Sequence, residues 1–219
     1  MRLLTVRNIV SIPIKFVRKR VQFASFEGIE AEHFAILIGD YNAPSVLVRV
    51  HSECMTGDMF GSELCDCGGQ LHEALQKMDT NDGGIILYLR QEGRGIGLYA
   101  KLDAYALQHK GLDTFAANRA LGFEEDDRDF TIAGDMLRAL GVSQVRLITN
   151  NPQKRDALLG RGIDVIETIR SGVFLTPRNE RYLRSKVEHR QHTIDLDRAG
   201  LTTVDTQAEA FTAITGGRT

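Results

Sequence analysis

The sequence contains three cysteines, and all of them lie in one short stretch, at positions 54, 65 and 67. An odd number of cysteines cannot be closed entirely into internal disulfides, and the single residue between Cys65 and Cys67 would strain a bond between those two. The same spacing lets two thiolates turn towards one soft cation such as Zn²⁺, and Cys54 supplies a third sulfur. Three protein ligands with a fourth position left for water or substrate is the pattern of a catalytic zinc site.

Two other interpretations of the cysteines stay open at this point. A structural zinc would need a fourth protein ligand, which His51 or His72 could supply from either side of the cluster. Alternatively, the three residues are buried free thiols that pack as small apolar side chains. The number of ligands that the fold assembles distinguishes these possibilities.

A second candidate site is a glycine-rich stretch that follows an apolar run. Glu92 lies between Arg90 and Arg94, and the glycines at 93, 95 and 97 would let the backbone approach a ligand closely. The stretch connects a predicted strand to a predicted helix, so its amides can face an anion. It does not match the dinucleotide fingerprint, because Leu98 occupies the position of the third glycine. A plain glycine-rich turn is the alternative.

Two further groups of polar residues have weaker signals. Thr149 and Lys154 flank Asn-Asn-Pro at a turn that leads into a helix, and both side chains suit phosphate, although that tripeptide alone only predicts a helix start. Asp126 and Arg128 belong to an acidic run, and such a run is usually a solvated surface.

The surrounding elements predict a layered α/β/α domain with a mixed sheet. Strands are predicted over 11–16, 21–26, 35–38, 45–50, 85–89, 145–149 and 163–169, the first two as edge strands. Helices are predicted from about 70, 98, 130 and 152, and their alternation with strands from 45 to 169 favours parallel pairs. The strand over 45–50 would place Arg49, His51 and Glu53 on one face. We expect a catalytic domain over 1–170 and a helical or irregular tail over 171–219.

Composition limits the possible partners. The net charge is −2, so no global basic field favours nucleic acid, and any polyanion must be bound by a local group of Lys and Arg. No apolar run has membrane-spanning length and no signal-peptide pattern is evident, which predicts a cytoplasmic protein without membrane contact.

Taken together, the motifs resemble those of the GTP cyclohydrolase II family. The matching stretches are RVHSECMTGDMFGSELCDCGGQL, LYLRQEGRGIGL, DTFAANRALGF, DDRDF and LITNNPQK, which occur in order over roughly residues 45 to 155. The resemblance implies a zinc ion held by Cys54, Cys65 and Cys67, Mg²⁺ on the phosphates of the nucleotide, and a homodimer. It implies Asp126 as a proton acceptor, Arg128 as the group that engages the α-phosphate and forms a covalent guanylyl intermediate, and Tyr105 near the base. The implied nucleotide-binding residues are Arg49, Val50, His51, Ser52, Glu53, Gln70, Glu92, Gly93, Arg94, Thr114, Thr149 and Lys154.

The implied reaction is hydrolytic opening of the imidazole ring of GTP, with release of formate and pyrophosphate. Three positions depart from the family pattern, namely Leu64, Asp103 and Ala116, and the last removes a carboxylate that could accept hydrogen bonds from guanine. The main alternative is therefore a divergent paralogue that acts on another nucleotide or stops at a partial product, in a specialised or pyrimidine-catabolic pathway. A zinc-stabilised binding module without catalysis is an alternative of another class.

Overall fold

The computed structural model describes residues 4–112, 114–124, 126–180 and 182–184. These residues form one seven-stranded sheet in the order β1-β2-β3-β5-β4-β6-β7. The strands are β1 Thr5–Ser11, β2 Val21–Glu27, β3 Phe34–Gly39, β4 Val46–Ser52, β5 Gly83–Leu89, β6 Gln144–Ile148 and β7 Asp164–Ile169. The helices are α1 Met55–Asp58, α2 Cys67–Thr80, α3 Leu98–His109, α4 Thr114–Ala120, α5 Thr131–Ala139 and α6 Pro152–Gly160, with a 3₁₀ turn at Glu92–Gly95.

The sheet is mixed, and its parallel half positions the candidate residues. β4 pairs in parallel with β5 and β6, and β6 pairs in parallel with β7, whereas β1, β2, β3 and β5 are joined by antiparallel pairing. The parallel strands all end at the same edge, which is where ligands bind in open α/β sheets. The cysteine stretch, the glycine-rich turn and the Thr149–Lys154 turn each follow one of these strand ends.

Apolar side chains cover both faces of the sheet and make the three layers. On one face, Val48 and Val50 pack in a cluster that includes Met136 and Leu137 of α5 and Leu158 of α6. On the other face, a second cluster contains Leu47 and Ile86 of the sheet with Ala74 and Met78 of α2. The predicted α/β/α architecture with a mixed sheet is confirmed.

The prediction for the N-terminal strands is partly wrong. The first strand is Thr5–Ser11 rather than 11–16, because Pro13 cannot donate a backbone hydrogen bond to a sheet. The prediction that 21–26 forms an edge strand is also wrong, because β2 lies between β1 and β3.

Two further predictions concern the ends of the chain and membranes. Within the described ranges, no helix combines the length and apolar character that crossing a bilayer requires. The proposed tail, 171–219, falls mostly outside the described residues, and its division from a domain over 1–170 stays a prediction.

Candidate functional site at the carboxyl edge of the parallel strands

β4 delivers two buried polar side chains to the floor of a cleft. Val48 and Val50 point into the apolar core, so the alternating residues Arg49 and His51 face the opposite side, with 4% and 2% of their surface exposed. Arg49 Nη2 donates to Gln70 Oε1 at 2.6 Å, and its Nη1 donates to the carbonyl oxygen of Ile148 at 3.3 Å. The predicted residues Arg49 and Gln70 are therefore brought together.

Asp58, which the sequence analysis did not single out, links β4 to the cysteine stretch. His51 Nε2 lies 3.0 Å from Asp58 Oδ2, and the same oxygen accepts hydrogen bonds from Tyr88 Oη at 2.8 Å and from the amide of Cys54 at 3.0 Å. Burial lowers the pKa of His51, although the Asp58 carboxylate opposes that effect. We assign the neutral imidazole with its proton on Nε2, because that tautomer donates to Asp58.

The three cysteine sulfurs converge at one point. Their Sγ atoms all lie within 4.8 Å of one another, and those of Cys54 and Cys65 are 3.6 Å apart. Two sulfurs bound tetrahedrally to one zinc ion at about 2.3 Å would be roughly 3.8 Å apart, so this spacing fits a shared metal ion. Gly57 makes the approach possible, since a Cβ at that position would lie 2.9 Å from Cys65 Sγ and 3.1 Å from Cys54 Sγ.

The number of ligands favours the open, catalytic type of site. Within the described part of the chain, the group of converging ligand atoms contains the three cysteines and no histidine. His51 is bonded to Asp58, and His72 Nδ1 lies 2.9 Å from the carbonyl oxygen of Gly68. Neither of the histidines considered as a fourth ligand joins the sulfurs, so one position of a tetrahedral ion would be left for another ligand.

The pKa values of the three cysteine thiols also favour a bound cation. Hydrogen bonding to Cys65 and Cys67 lowers the pKa of Cys54, whereas hydrogen bonding to Cys54 raises the pKa of Cys65 to about 12. The pKa of Cys67 is raised for the same reason, with burial adding to the effect. Three adjacent thiolates repel one another, so a bound cation is what would allow all three to ionise together.

The glycine-rich turn holds Glu92 beneath the cysteine stretch. Glu92 Oε2 accepts the amide of Met55 at 2.6 Å, which fixes the start of α1 to this turn. Arg94 has a φ of +66°, a left-handed conformation that residues other than glycine rarely adopt and that is concentrated at functional sites. Glu53 accepts a hydrogen bond from Arg90 Nε at 2.9 Å, so the end of β4 is tied to the same turn.

Asp126 and Arg128 form a partly buried ion pair against the glycine-rich turn. Arg128 Nε donates to Asp126 Oδ1 at 2.8 Å and Nη2 donates to Oδ2 at 2.7 Å. Burial raises the pKa of Asp126, but the hydrogen bonds and charge of Arg128 outweigh it and hold that pKa below its usual range. These residues are not the solvated surface that an acidic run usually indicates.

The cleft has two lobes. The lobe that we call the cationic lobe is lined by Arg49, His51, Ser52, Cys67, Gln70, Arg94, Arg128, Thr149, Asn150, Asn151, Lys154, Ser171 and Tyr182. The other, which we call the metal lobe, is lined by Ser52, Glu53, Cys54, Cys65, Cys67, Gln91, Glu92, Gly93, Arg94, Ile96, Lys101, Ala104, Tyr105, Gln108, Asn118, Arg128 and Tyr182. Because five residues line both lobes, one elongated ligand can occupy the two together.

Unpaired polar atoms in the cationic lobe indicate a polar ligand. Among the residues that the structure describes, Arg49 Nε, His51 Nδ1, Ser52 Oγ and Ser171 Oγ are buried and have no hydrogen-bond partner. Buried polar atoms are nearly always paired in folded proteins, so a cluster of unpaired ones marks a place where a ligand or water completes the bonding. The three guanidinium groups and one ammonium group of this lobe favour an anion.

Most of the predicted site residues line this cleft, and Val50, Asp126 and Thr114 are described separately. Val50 is fully buried in the apolar core, and its contribution is the backbone carbonyl, which accepts a hydrogen bond from Lys154 Nζ at 2.8 Å. Asp126 is hydrogen-bonded to Arg128, which itself lines the cleft. Thr114 is the first residue of α4, and its side chain lies outside the described residues.

Tyr105 lines the metal lobe, and its implied place near the base stays a prediction. Burial raises the pKa of its phenol to about 12, so the group is protonated at neutral pH. The sequence analysis did not single out Asp58, Lys101, Ser171 or Tyr182. Lys101 left no local pattern, because its partners Cys54 and Thr56 are 47 and 45 residues away in sequence.

Comparison with known proteins identifies relatives over most of the chain. A family model described as GTP cyclohydrolase II matches residues 8–170. The GTP cyclohydrolase-2 of Psychromonas ingrahamii is 54% identical over 177 residues, which is 79% of this chain and 88% of that protein. The GTP cyclohydrolase-2 of Vibrio cholerae is 50% identical over 179 residues, or 80% and 90% of the two chains. The riboflavin biosynthesis protein RibBA of Phocaeicola vulgatus is 48% identical over 168 residues, which is 76% of this chain and 42% of that protein.

Proposed function

Because this chain belongs to the GTP cyclohydrolase II family, we propose that it is a zinc-dependent hydrolase that opens the imidazole ring of GTP. The products would be formate, pyrophosphate and 2,5-diamino-6-(5-phosphoribosylamino)pyrimidin-4-one, in the first step of riboflavin biosynthesis. The observation that carries this proposal is the position of three converging sulfurs in the same cleft as a cationic lobe. That arrangement suits a substrate with a hydrolysable ring at one end and phosphates at the other.

Cys54, Cys65 and Cys67 would hold the zinc ion. Bound there, zinc supplies Lewis-acid chemistry and lowers the pKa of a water molecule, which is the activation that ring hydrolysis requires. Tyr105 and Glu92 line the metal lobe, and we propose that they orient the base and hold or move protons there. The protonated phenol of Tyr105 can donate a hydrogen bond to a ring nitrogen.

The cationic lobe would bind the triphosphate together with Mg²⁺. Arg49, Arg94, Arg128 and Lys154 provide four positive charges, and Thr149 lies beside them in the same lining. Charge develops on the bridging and non-bridging oxygens when pyrophosphate leaves the α-phosphorus, and fixed cations stabilise that charge. The unpaired atoms of Arg49, His51 and Ser52 could bind the ligand without breaking an existing hydrogen bond within the protein.

We assign Arg128 first to the binding of the α-phosphate as a charged group. Its paired guanidinium has a pKa raised by Asp126 against the lowering effect of burial, so it has no free lone pair for nucleophilic attack at neutral pH. A covalent guanylyl intermediate on Arg128 would require Asp126 to accept a proton. The lowered pKa of Asp126 makes that transfer costly, so we do not build the mechanism on it.

We also propose a cytoplasmic homodimer, which the resemblance to the family supports. We propose GTP rather than another nucleotide as the substrate, because relatives at 50–54% identity carry the name GTP cyclohydrolase-2. The departures at Leu64, Asp103 and Ala116 are the reason to test that preference directly.

The deciding experiment incubates zinc-loaded protein with GTP and Mg²⁺ and measures formate and pyrophosphate separately. We expect both products, and we expect chelation of the metal to abolish formate release while circular dichroism shows an intact fold, because the sheet and its two apolar clusters do not depend on the sulfurs. Pyrophosphate without formate would restrict the activity to the phosphate end. Neither product, with another nucleotide consumed, would support the divergent paralogue, and unfolding upon chelation would support a zinc-stabilised binding module.

A further inference from the structure

Lys101 is a buried lysine in the wall of the metal lobe. It lies on α3, with 8% of its surface exposed, and its ammonium group points towards the cysteine stretch. Lysine is almost never buried to this extent unless its charge is paired. Its partners therefore indicate what the charge does.

The three protons of the ammonium group match three acceptors. Lys101 Nζ lies 3.2 Å from Cys54 Sγ, 2.8 Å from Glu92 Oε1 and 3.1 Å from Thr56 Oγ1. The acceptors come from the cysteine stretch and from the glycine-rich turn, so one side chain on α3 joins all three segments. The bond to sulfur is the one that goes beyond fixing the fold, because Cys54 belongs to the metal-ligating trio.

The charge of the trio explains why a cation is useful at that sulfur. Three thiolates and one divalent ion would leave an excess of one negative charge in a buried site, and the Glu92 carboxylate adds another. The Lys101 ammonium contacts both and offsets part of this charge. A hydrogen bond to a thiolate also withdraws electron density from the sulfur, so the ligand donates less charge to the metal ion. The ion then keeps more of its ability to polarise what binds at the remaining position.

We infer that Lys101 is a positioning residue of the metal centre, which orients Cys54 Sγ through an N–H···S bond and reduces the charge that this sulfur donates. This inference rests on the proposed metal site of the trio. Lys101 acts through Cys54 and does not need to touch the substrate.

The test replaces the metal by Co²⁺, whose sulfur-to-metal charge-transfer absorption reports how strongly the thiolates donate. We expect Lys101→Met to move that band to longer wavelength, because a thiolate without its hydrogen bond gives up an electron more easily. Lys101→Gln keeps a neutral N–H donor and should move the band less. In the zinc forms, kcat with GTP should fall by about 10–100-fold in Lys101→Met, with little change in KM.

Lys110→Met is the matched control, because Lys110 is an exposed residue just after the same helix. It should leave the band and kcat unchanged. If Lys101→Met does not fold, Lys101→Gln alone decides the question by its own band shift. An unshifted band in a folded, cobalt-loaded variant would overturn the inference, even if its stability were reduced. Failure of the unaltered protein to bind cobalt would instead contradict the proposed metal site.

Discussion

Arg128 and Asp126 are joined by two parallel hydrogen bonds, from Nε to Oδ1 at 2.8 Å and from Nη2 to Oδ2 at 2.7 Å. The carboxylate thus fixes the plane of the guanidinium at the junction of the two lobes, both of which Arg128 lines. A guanidinium group whose plane is already fixed loses little conformational entropy when it binds a phosphate.

The first prediction concerns variants that disturb this orientation of the Arg128 guanidinium. Asp126→Asn should lower kcat/KM for pyrophosphate release by on the order of 10²-fold, because the neutral amide cannot hold both nitrogens of the guanidinium. Arg128→Lys should lose a similar amount, since it keeps a positive charge but not the fork. Steady-state kinetics with GTP would measure both effects.

Asp135→Asn is the control for this pair. Asp135 on α5 also forms an ion pair with an arginine, and its Oδ2 lies 3.6 Å from Arg161 Nη2. This pair is more exposed, so its loss should leave kcat/KM unchanged. If Asp126→Asn retained full activity, the ion pair would have no part in the reaction.

The second prediction concerns the close approach of the glycine-rich turn to the segment that carries this pair. Gly95 has a φ of +99°, and a Cβ there would lie 2.9 Å from Asp127 Cβ and 3.0 Å from its carbonyl carbon. Gly95→Ala should therefore displace Asp126 and Arg128 as well as strain the backbone. We expect a loss of at least about ten-fold in kcat/KM, as a small displacement of a positioning group can cause.

Gly141→Ala separates displacement from backbone strain. Gly141 also has a positive φ, of +77°, but no atom lies within 4 Å of the position of its Cβ. This variant should lose stability to denaturant and retain its activity when folded. Equal activities of the two folded variants would show that the contact with Asp127 is not needed.

The third prediction tests the space between the sulfurs. Gly57→Ala would place a methyl group 2.9 Å from Cys65 Sγ and 3.1 Å from Cys54 Sγ, so the sulfurs or the backbone of α1 must shift. Zinc affinity, measured by competition with a chromophoric chelator, should fall by on the order of ten-fold or more.

Gly160→Ala is the corresponding control, because no atom lies within 4 Å of the position of its Cβ at the end of α6. It should bind zinc as tightly as the unaltered chain. Unchanged zinc affinity in Gly57→Ala would mean that the trio does not form the metal site.

The parts of the site that could be predicted from the sequence are those encoded within a few residues. The spacing of Cys65 and Cys67, the glycines after β5 and the alternation of β4 are local patterns, and each predicted the correct element or group. Lys101 could not be found in this way, because its role depends on how α3 packs against the cysteine stretch. Asp58 is close in sequence to His51 and Cys54, but no spacing rule indicates its bond to Tyr88 on β5. The strand predicted over 11–16 was wrong because its β-branched residues suggested a ladder that Pro13 interrupts.

The last prediction concerns stability outside the cleft, at His33. Its Nδ1 accepts a hydrogen bond from the amide of Arg90 at 2.9 Å, which requires an unprotonated nitrogen. Burial lowers the pKa of His33 from its ordinary value of 6.5, and the charge of Arg90 lowers it further. Between that lowered pKa and 6.5, the unfolded chain binds a proton that the folded chain does not bind, so stability falls as pH decreases through this window.

His33→Asn should reduce this acid sensitivity, because the amide oxygen can accept the same hydrogen bond and does not titrate. The measurement is the midpoint of urea unfolding at pH 7.5 and pH 5.5, for the unaltered protein and the variant. We expect the difference between the two pH values to be smaller in the variant, whatever its absolute stability. His51, whose pKa burial also lowers, is common to both proteins and cancels from this comparison. An equal or larger pH dependence in His33→Asn would mean that His33 takes up its proton equally easily in the folded and unfolded states.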